Sequence, residues 1–147
     1  MDGLAAVWEN VELYIGTAES SGTWTYAQLC AGIESATPNF NENNIQSFFL
    51  CGEGFAHNAV TGGAPAIAVS GKRVAGDAAQ DYIAGLQWKL GKDRESSMKL
   101  VDTLNGKQVV CPCVIGDIVS FGGNATDLNA FSCTLRMNGA PTVTTAA

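Results

Sequence analysis

One segment of this chain carries a helical pattern, and it interrupts a sequence that otherwise alternates in the manner of β-strands. From residue 77 onward, apolar side chains recur at the spacing of one helix face: Ala79, Tyr82, Ile83, Leu86 and Leu90. Asp77 is a good N-cap, and Gln80 stands three residues later, as in a capping box. Gly91 is a suitable stop. The pattern therefore predicts a single α-helix over about 77–90.

Residues on both sides of this helix alternate between apolar and polar with the period of a half-buried strand. The clearest segments are 11–15 and 130–137, and further strands are predicted over 66–74, 97–104 and 108–121. The Asn-Gly pair between the last two segments is a strong signal for a hairpin turn. Together these elements predict a mainly β (α+β) protein: an antiparallel β-sandwich or barrel with one flanking α-helix.

The remaining segments are less regular. A turn is predicted over 17–22, an extended region over 24–36, a long loop or hairpin over 37–65 with a strand at 45–51, and a flexible C-terminal tail over 140–147. The long loop carries four of the six phenylalanines of the chain: Phe40, Phe48, Phe49 and Phe55. Because a solvated linker would not carry so many aromatic side chains, we expect this loop to pack on a partner.

The composition fits one globular domain over 1–147, since domains most often run to about 100–150 residues. Charged residues make up only 15% of the chain, against about a quarter in an ordinary globular protein. Much of the surface is therefore expected to be neutral and polar or to be covered by other protein. The longest apolar stretch, 109–115, is far shorter than the ~20 residues of a membrane helix, so no membrane segment is expected.

The net charge of −6 argues against a protein that grips nucleic acid, because such proteins usually present a basic patch. The charge is also unevenly spread. Residues 1–71 contain seven acidic side chains and no Lys or Arg, whereas 72–147 contain seven acidic and eight basic ones. This asymmetry suggests complementary surfaces, although chance is an equally good explanation.

The sequence offers few residues suited to catalysis. His57 is the sole histidine, and the five cysteines, odd in number and without a C-x-x-C motif, favour buried reduced thiols over disulfides or a zinc site. Asp77 and Asp81 are explained by the start of the helix, where carboxylates favour the helix dipole. The sequence therefore predicts no catalytic, cofactor-binding or metal-binding residues, and the chain is not expected to be an enzyme.

Several segments, in their order and spacing, resemble the tail tube proteins, or major tail proteins, of long-tailed, non-contractile bacteriophages. The central one is SGKRVAGDAAQDYI, and the others include FFLCGEGFAHNAVTG, GGNATD and LRMNGAP, at 70–83, 48–62, 122–127 and 135–141. The resemblance covers roughly 30–141, and none of its motifs is specific alone. Ala140 departs from it, since a basic residue often stands there.

The resemblance implies a structural virion protein that needs no cofactor. Members of this family have a β-sandwich with a flanking helix and form hexameric rings that stack into a hollow tube. The implied partners are other copies of the chain, a tape-measure protein, and the tail-tip and tail-terminator proteins. DNA would pass through the lumen without specific binding. The implied location is the virion, after synthesis and assembly in the cytoplasm of the bacterial host.

The expected contact residues are those of the long loop and of its charged neighbours. As candidates for a subunit interface or the lumen the sequence offers Glu34, Asn41, Glu42, Phe48, Phe49, Glu53, Phe55, Lys72 and Arg73. Acidic groups on one ring face and basic groups on the other would give head-to-tail stacking, with Lys72 and Arg73 as the basic half. The alternative is that these are ordinary solvated side chains or ion pairs.

Other functions stay open at this point. The inner tube of a contractile tail or of a type VI secretion system would share the fold. A monomeric carbohydrate-binding β-sandwich would need an aromatic platform, for which Trp8, Trp24 and Trp88 are widely spread. A small acidic hydrolase would have to use His57.

Overall fold

The computed structural model describes residues 11–145 as ten β-strands, one α-helix and two short 3-10 turns. The strands are β1 (Val11–Ser20), β2 (Thr23–Gln28), β3 (Ile33–Asn39), β4 (Asn43–Phe48), β5 (Ala56–Gly62), β6 (Ala66–Lys72), β7 (Glu95–Asp102), β8 (Lys107–Val119), β9 (Ala130–Met137) and β10 (Thr142–Thr145). The helix α1 is Ala78–Gly85, and the 3-10 turns are Leu50–Gly52 and Gly91–Arg94.

Eight strands form one antiparallel sheet: seven follow the order β2-β1-β7-β8-β9-β6-β3, and the eighth, β10, pairs with β8. The long strand β8 joins its two halves: one edge pairs with β7, and the other pairs first with β10 and then with β9. Inward-facing residues of both halves share one hydrophobic core, so the halves face each other as in a sandwich or open barrel. The predicted mainly β fold with a flanking helix is confirmed.

The alternation of β9 is confirmed residue by residue. Phe131, Cys133 and Leu135 are buried, and the residues between them are not fully buried. Leu13 and Ile15 of β1 are also buried, and they enter the core from the other half of the sheet. Because a strand turns successive side chains to opposite faces, each strand supplies only half of its residues to the core.

A bulge bends β8 near its end. The pairing of β8 with β9 shifts between Gly116 and Val119, and Asp117 between them has a φ of 51°. The Asp117 carboxylate accepts a hydrogen bond of 2.6 Å from the Arg136 guanidinium, which lies across Gly116 where a Cβ would obstruct it. The strand therefore bends at this bulge.

The helix starts as predicted and ends early. The Asp77 carboxylate accepts a hydrogen bond of 3.1 Å from the backbone N–H of Gln80, as an N-cap does. The helix stops at Gly85 rather than at Leu90, and beyond it the backbone N–H groups of Gln87 and Lys89 donate to carbonyls three residues back instead of four. The predicted span of 77–90 is thus too long, and Leu90 is exposed instead of lying on a buried helix face.

The boundaries of three predicted segments need correction. Strand β1 continues through a bulge to Ser20, so the turn predicted over 17–22 is confined to Ser21 and Gly22, both with positive φ. The extended region predicted over 24–36 is split at 29–32 into β2 and β3. Within the predicted loop over 37–65, the strand expected at 45–51 is β4, which ends at Phe48 and pairs with β5 as a hairpin.

The C-terminal segment differs from the flexible tail predicted over 140–147. Thr142–Thr145 form β10, whose four residues pair with the first four of β8. Three threonines and a valine are β-branched, which favours extended backbone. The last two residues lie outside the described range.

Candidate subunit interfaces

Residues 40–63, which we call the arm, form a two-stranded hairpin apart from the main sheet. Its exposed large apolar side chains are Phe40, Ile45, Phe48, Phe49, Leu50, Phe55 and Val60. Phe48 is 69% exposed and Phe55 is 75% exposed. Exposed apolar clusters of this kind are typical of surfaces that contact other proteins, membranes or ligands. A lone hairpin is also only marginally stable in water, so the arm gains order from whatever covers it.

Hydrogen bonds along the arm set its shape. At the base, the Asn41 side chain donates to the Ala64 carbonyl at 3.0 Å, and Asn41 itself has a φ of 44°. Further along, Asn43 donates to the Thr61 hydroxyl at 2.9 Å across the two strands. These hydrogen bonds stabilise the conformation of the hairpin. Asn41, predicted as a contact residue, has a structural part in closing the base.

The tip of the arm brings together Phe49, His57 and Glu53. The rings of Phe49 and His57 lie 5.3 Å apart at a tilt of 53°. Glu53 is exposed, with a φ of 56°, and Gly54 follows it in the same left-handed region. All six residues from Asn41 to Phe55 that were predicted to lie at an interface or the lumen are on the arm. No side-chain hydrogen bond of His57 to a nucleophile is present within 11–145.

The remaining three candidates lie at the other end of the β3–β6 pair and are engaged within the chain. Lys72 pairs with Glu34 at 3.8 Å, with both side chains about half exposed. The Arg73 guanidinium donates to the Asp81 carboxylate at 2.7 Å and to the Val74 carbonyl at 2.7 Å. The same hydrogen bond from Arg73 holds the pKa of Asp81 below its ordinary value. Arg73 is therefore already engaged in contacts within its own chain.

Gln80 is the residue that sequence reasoning misjudged most, because its side chain does not complete a capping box. Gln80 is fully buried, and its amide nitrogen donates to the carbonyls of Ala31 at 2.7 Å and Lys72 at 3.0 Å. Its amide oxygen accepts from the backbone N–H of Val74 at 2.7 Å. One side chain thus joins the β2–β3 connection, the end of β6 and α1. The segment 70–83 therefore holds these three elements together. In the sequence, only its motif drew attention to this segment.

A second exposed apolar surface lies where α1 ends, and the sequence did not predict it. Trp88 is 80% exposed and Leu90 is 82% exposed, with the exposed Lys89 and Lys92 beside them. We call these four residues the helix-end surface. Neither lysine forms an ion pair with any residue in 11–145. The exposed Phe121 belongs to the loop whose Ser120 hydroxyl hydrogen-bonds Gln87 in the same region.

The tryptophans do not form a shared platform among the described residues. The Trp24 ring packs over Gly16, where an added Cβ would lie 2.7 Å from it, and it is half-buried. Trp88 stands at the helix end, and Trp8 lies outside the described residues. Among the other aromatic side chains, Tyr14 and Tyr26 both contact the Lys99 ammonium, which lies 4.5 and 4.7 Å from their ring centroids.

The cysteines divide by depth. Cys111, Cys113 and Cys133 are buried, and burial raises the pKa of both Cys113 and Cys133 to about 12. These thiols are core residues, as predicted, whereas Cys30 and Cys51 are exposed against that prediction. No group of three His, Cys, Asp or Glu side chains suited to a metal ion occurs within 11–145. No helix in that range is long and apolar enough to cross a membrane.

Of the comparisons with known proteins, only the comparison of structures finds similar chains. No protein-family model matches the sequence, and neither does any curated protein. Among solved structures, a chain from the tail of an empty gene transfer agent particle, determined with C6 symmetry, matches with a TM-score of 0.73 at 13% identity. A chain from the virion of a native gene transfer agent particle matches with a TM-score of 0.67 at 15% identity. Each match covers 95% of this chain and 99% of the other, so the fold is shared over its whole length.

Proposed function

We propose that this chain is a structural subunit of a phage-like tail, and that it forms hexameric rings stacked into a hollow tube through which DNA passes. The observation that carries the proposal is the fold shared, almost from end to end, with a chain of a gene transfer agent tail that has C6 symmetry. The motif order of tail tube proteins in this sequence supports the same assignment, and favours a long, non-contractile tail.

The sheet supports assembly by its free edges. In the described chain, β2 and β3 are the two terminal strands of the main sheet, and each has one side without a strand partner. A groove of about 250 Å³ opens between β1 and β3 beside the end of β2, and it is lined in part by Leu13, Leu29 and Ile33. Neighbouring subunits that join their sheets in a ring would cover these edges and remove the hazard of uncontrolled pairing.

The arm supports contacts beyond the subunit. Its exposed phenylalanines require a cover that the main body does not supply, and a neighbouring copy is the cover most abundant in a tube. Phe48, Phe49 and Phe55 would then be interface residues, with Glu42 and Glu53 at the interface or facing the lumen. Glu34 lies on the edge strand β3 and would face the lumen or the next subunit in the ring.

The proposed tube has further partners. Its growth would follow a tape-measure protein between tail-tip and tail-terminator proteins, and its location would be the virion after assembly in the host cytoplasm. DNA would pass without specific binding, since a protein with a net charge of −6 repels the phosphate backbone. No chemistry on a substrate is part of this function.

The test is assembly of the purified protein. Negative-stain electron microscopy and light scattering over a range of concentrations should show hollow tubes or six-fold rings, with growth that depends on concentration. A monomer at every concentration, with no rings at the highest, would contradict self-assembly and favour a binding module. Screening of a glycan array with that monomer would then test the carbohydrate-binding alternative directly.

A further inference from the structure

The strands β3, β6 and β9 turn one side away from the core, and the middle of that side carries only short side chains. Alternate residues of β6 and β9 are buried, and the residues between them point outward. Cross-strand pairing sets the outward residues of the three strands in two adjacent rows. The rows are Ser35–Ser70–Ser132 and Thr37–Ala68–Thr134, and we call these six residues the hydroxyl face.

The hydroxyl face is one continuous, uncharged surface. All six residues line the same shallow depression of about 260 Å³. The hydroxyl groups of Ser35 and Ser70 form a hydrogen bond of 3.0 Å across β3 and β6. None of the six side chains is charged, aromatic or larger than threonine. The surface therefore offers hydroxyl groups to water and presents no charge of its own.

The two cations that follow the rows along β6 and β9 are each paired with a carboxylate. Lys72, two residues beyond Ser70, lies 3.8 Å from Glu34. Arg136, two residues beyond Thr134, donates a hydrogen bond of 2.6 Å to Asp117. Because each positive charge has a negative charge beside it, the pair attracts a distant phosphate far less than a lone cation does.

The outward side of β1 and β7 has a different chemistry. Tyr14 lies between the buried Leu13 and Ile15 and pairs across the strands with Lys99, so both point away from the core. The Lys99 ammonium lies 4.5 Å from the centroid of the Tyr14 ring and 4.7 Å from that of Tyr26. It forms no ion pair with any residue in 11–145. An ammonium without a carboxylate is a group that proteins use to hold the phosphate backbone of DNA.

The two halves of the sheet also differ in bulk. Besides the shared strand β8, one half contains β1, β2, β7 and β10, and α1 packs against β1 and β2. The other half contains β3, β6 and β9, and the arm leaves the main sheet from it. The circumference of a closed ring grows with distance from its axis. The half with more strands and the helix therefore fits the outside of a ring, and the half with the hydroxyl face fits the inside.

We propose that the hydroxyl face lines the lumen, and that the side carrying Tyr14, Tyr26 and Lys99 lies on the outside of the tube. The inference rests on the proposed tube and names the surface that passing DNA meets. DNA carries one negative charge per about 1.7 Å of its axis, and its attraction to a protein comes mainly from free cations and the counterions that they release. A wall of neutral hydroxyls with paired charges beside it adds little attraction, so the duplex slides along it.

Thiol labelling of assembled tubes with reagents of two sizes tests this orientation. The background is Cys30→Ser with Cys51→Ser, which lacks the two exposed thiols. In it, Ser70→Cys reports on the hydroxyl face and Thr142→Cys on the opposite side. Iodoacetamide is small enough to diffuse along the lumen. A maleimide attached to a globular carrier protein wider than a DNA duplex stays outside.

Thr142 is a suitable reporter because it is exposed and continues the row of Tyr14 and Lys99 through Val110 of β8. In tubes verified by electron microscopy, Thr142→Cys should react with both reagents. Ser70→Cys should react with iodoacetamide and lose its reaction with the carrier, which should return when the tubes are dissociated. If Ser70→Cys does not assemble, Thr37→Cys, at an exposed position of the same face, takes its place.

The pair of reagents separates the lumen from a subunit contact. Reaction of Ser70→Cys with the carrier in tubes would put the hydroxyl face outside, and reaction with neither reagent would put it in a contact between subunits. Either result, or exclusion of the carrier from Thr142→Cys, would overturn the orientation and leave the tube standing. If the wild type forms no tubes, the proposed function fails, and the orientation fails with it.

Discussion

The amide nitrogen of Gln80 donates a 2.7 Å hydrogen bond to the carbonyl of Ala31, 49 positions earlier in the chain. This bond attaches the start of α1 to the connection between β2 and β3. Because Gln80 is fully buried, each of its polar atoms needs a partner inside the protein, and each has one. Together with the buried Ala79, Ile83 and Leu86, this side chain holds the helix against the sheet.

Replacement of Gln80 should be costly. Gln80→Leu leaves the Ala31 and Lys72 carbonyls and the Val74 N–H without this partner, and should lower the free energy of unfolding by about 3 kcal/mol. Urea denaturation checks this value. Gln46→Leu, at an exposed position on the arm, is the control and should change stability by less than about 0.5 kcal/mol. Equal stability of the two variants would show that the Gln80 bonds contribute little.

Two glycines should respond in opposite directions to alanine. A Cβ at Gly71 would overlap the carbonyl oxygen of Gly32 and the backbone of Ile33, so Gly71→Ala should destabilise by about 2 kcal/mol. A Cβ at Gly85 meets nothing within 4 Å, and the residue is helical, so Gly85→Ala should stabilise by about 0.5–1 kcal/mol. Thermal unfolding of both variants distinguishes the signs. A stable Gly71→Ala variant would contradict the close approach of the two backbones.

Stability should fall in acid partly through Asp81. Its pKa is held below the ordinary 3.8 by the hydrogen bond from Arg73, so this contribution is fully present above pH 3.8 and is lost as the pH falls through the lowered pKa. Asp81→Asn should remove that part of the pH dependence and flatten the acid limb of stability against pH. Urea titrations at several pH values measure the limb. Asp93→Asn, for which no ion pair is present in 11–145, is the control and should leave the limb as it is.

Thiol labelling should separate the five cysteines into two classes. In dissociated native protein at neutral pH, iodoacetamide should modify Cys30 and Cys51, which are exposed, and spare Cys111, Cys113 and Cys133 until the protein is denatured. Burial raises the pKa of Cys113 and Cys133 to about 12, which leaves almost no thiolate to react. Mass spectrometry counts the labels. Rapid labelling of all five would mean that the core is open.

The arm should matter for assembly and little for folding. Phe55→Ser removes an apolar side chain that is 75% exposed, so the free energy of unfolding should change by less than about 0.5 kcal/mol while tubes are lost. Val143→Ser on β10, 60% exposed, is the matched control and should keep assembly. Electron microscopy and urea denaturation give the two readouts. Tubes from Phe55→Ser at the wild-type concentration would show that this phenylalanine lies outside the contacts.

The local patterns predicted the elements whose cause lies in neighbouring residues. Strand β9 alternates as its sequence alternates, because the pleat alone turns Phe131, Cys133 and Leu135 to one side. The start of α1 followed from Asp77, whose side chain reaches only three residues along the chain. The segment 70–83 contributed to the resemblance to tail tube proteins, but the burial of its Gln80 amide is not visible in the sequence.

The elements that sequence reasoning misplaced have causes far along the chain. Beyond Gly85 the helix gives way to tighter turns, and Arg94, which binds the carbonyls of Gln87 and Lys89 there, also contacts the carbonyl of Ile115 on β8. The C-terminal segment is a strand because β8 offers it a free edge beside β9. The division of the long Phe-rich loop into β4, a tip and β5 depends on pairing between residues up to 19 positions apart, from Asn43 to Gly62.

The sequence by itself determined the mainly β class, the start of the helix and the presence of a phenylalanine-rich segment between two strands. It could do so because alternation, capping and composition act through short-range sterics and through solvent. The tertiary structure decided that Arg73 pairs with Asp81, that Trp88 and Leu90 are exposed, and that the arm leaves the main sheet between β3 and β6. Those facts depend on which distant segments meet, and such meetings are set by packing of the whole core.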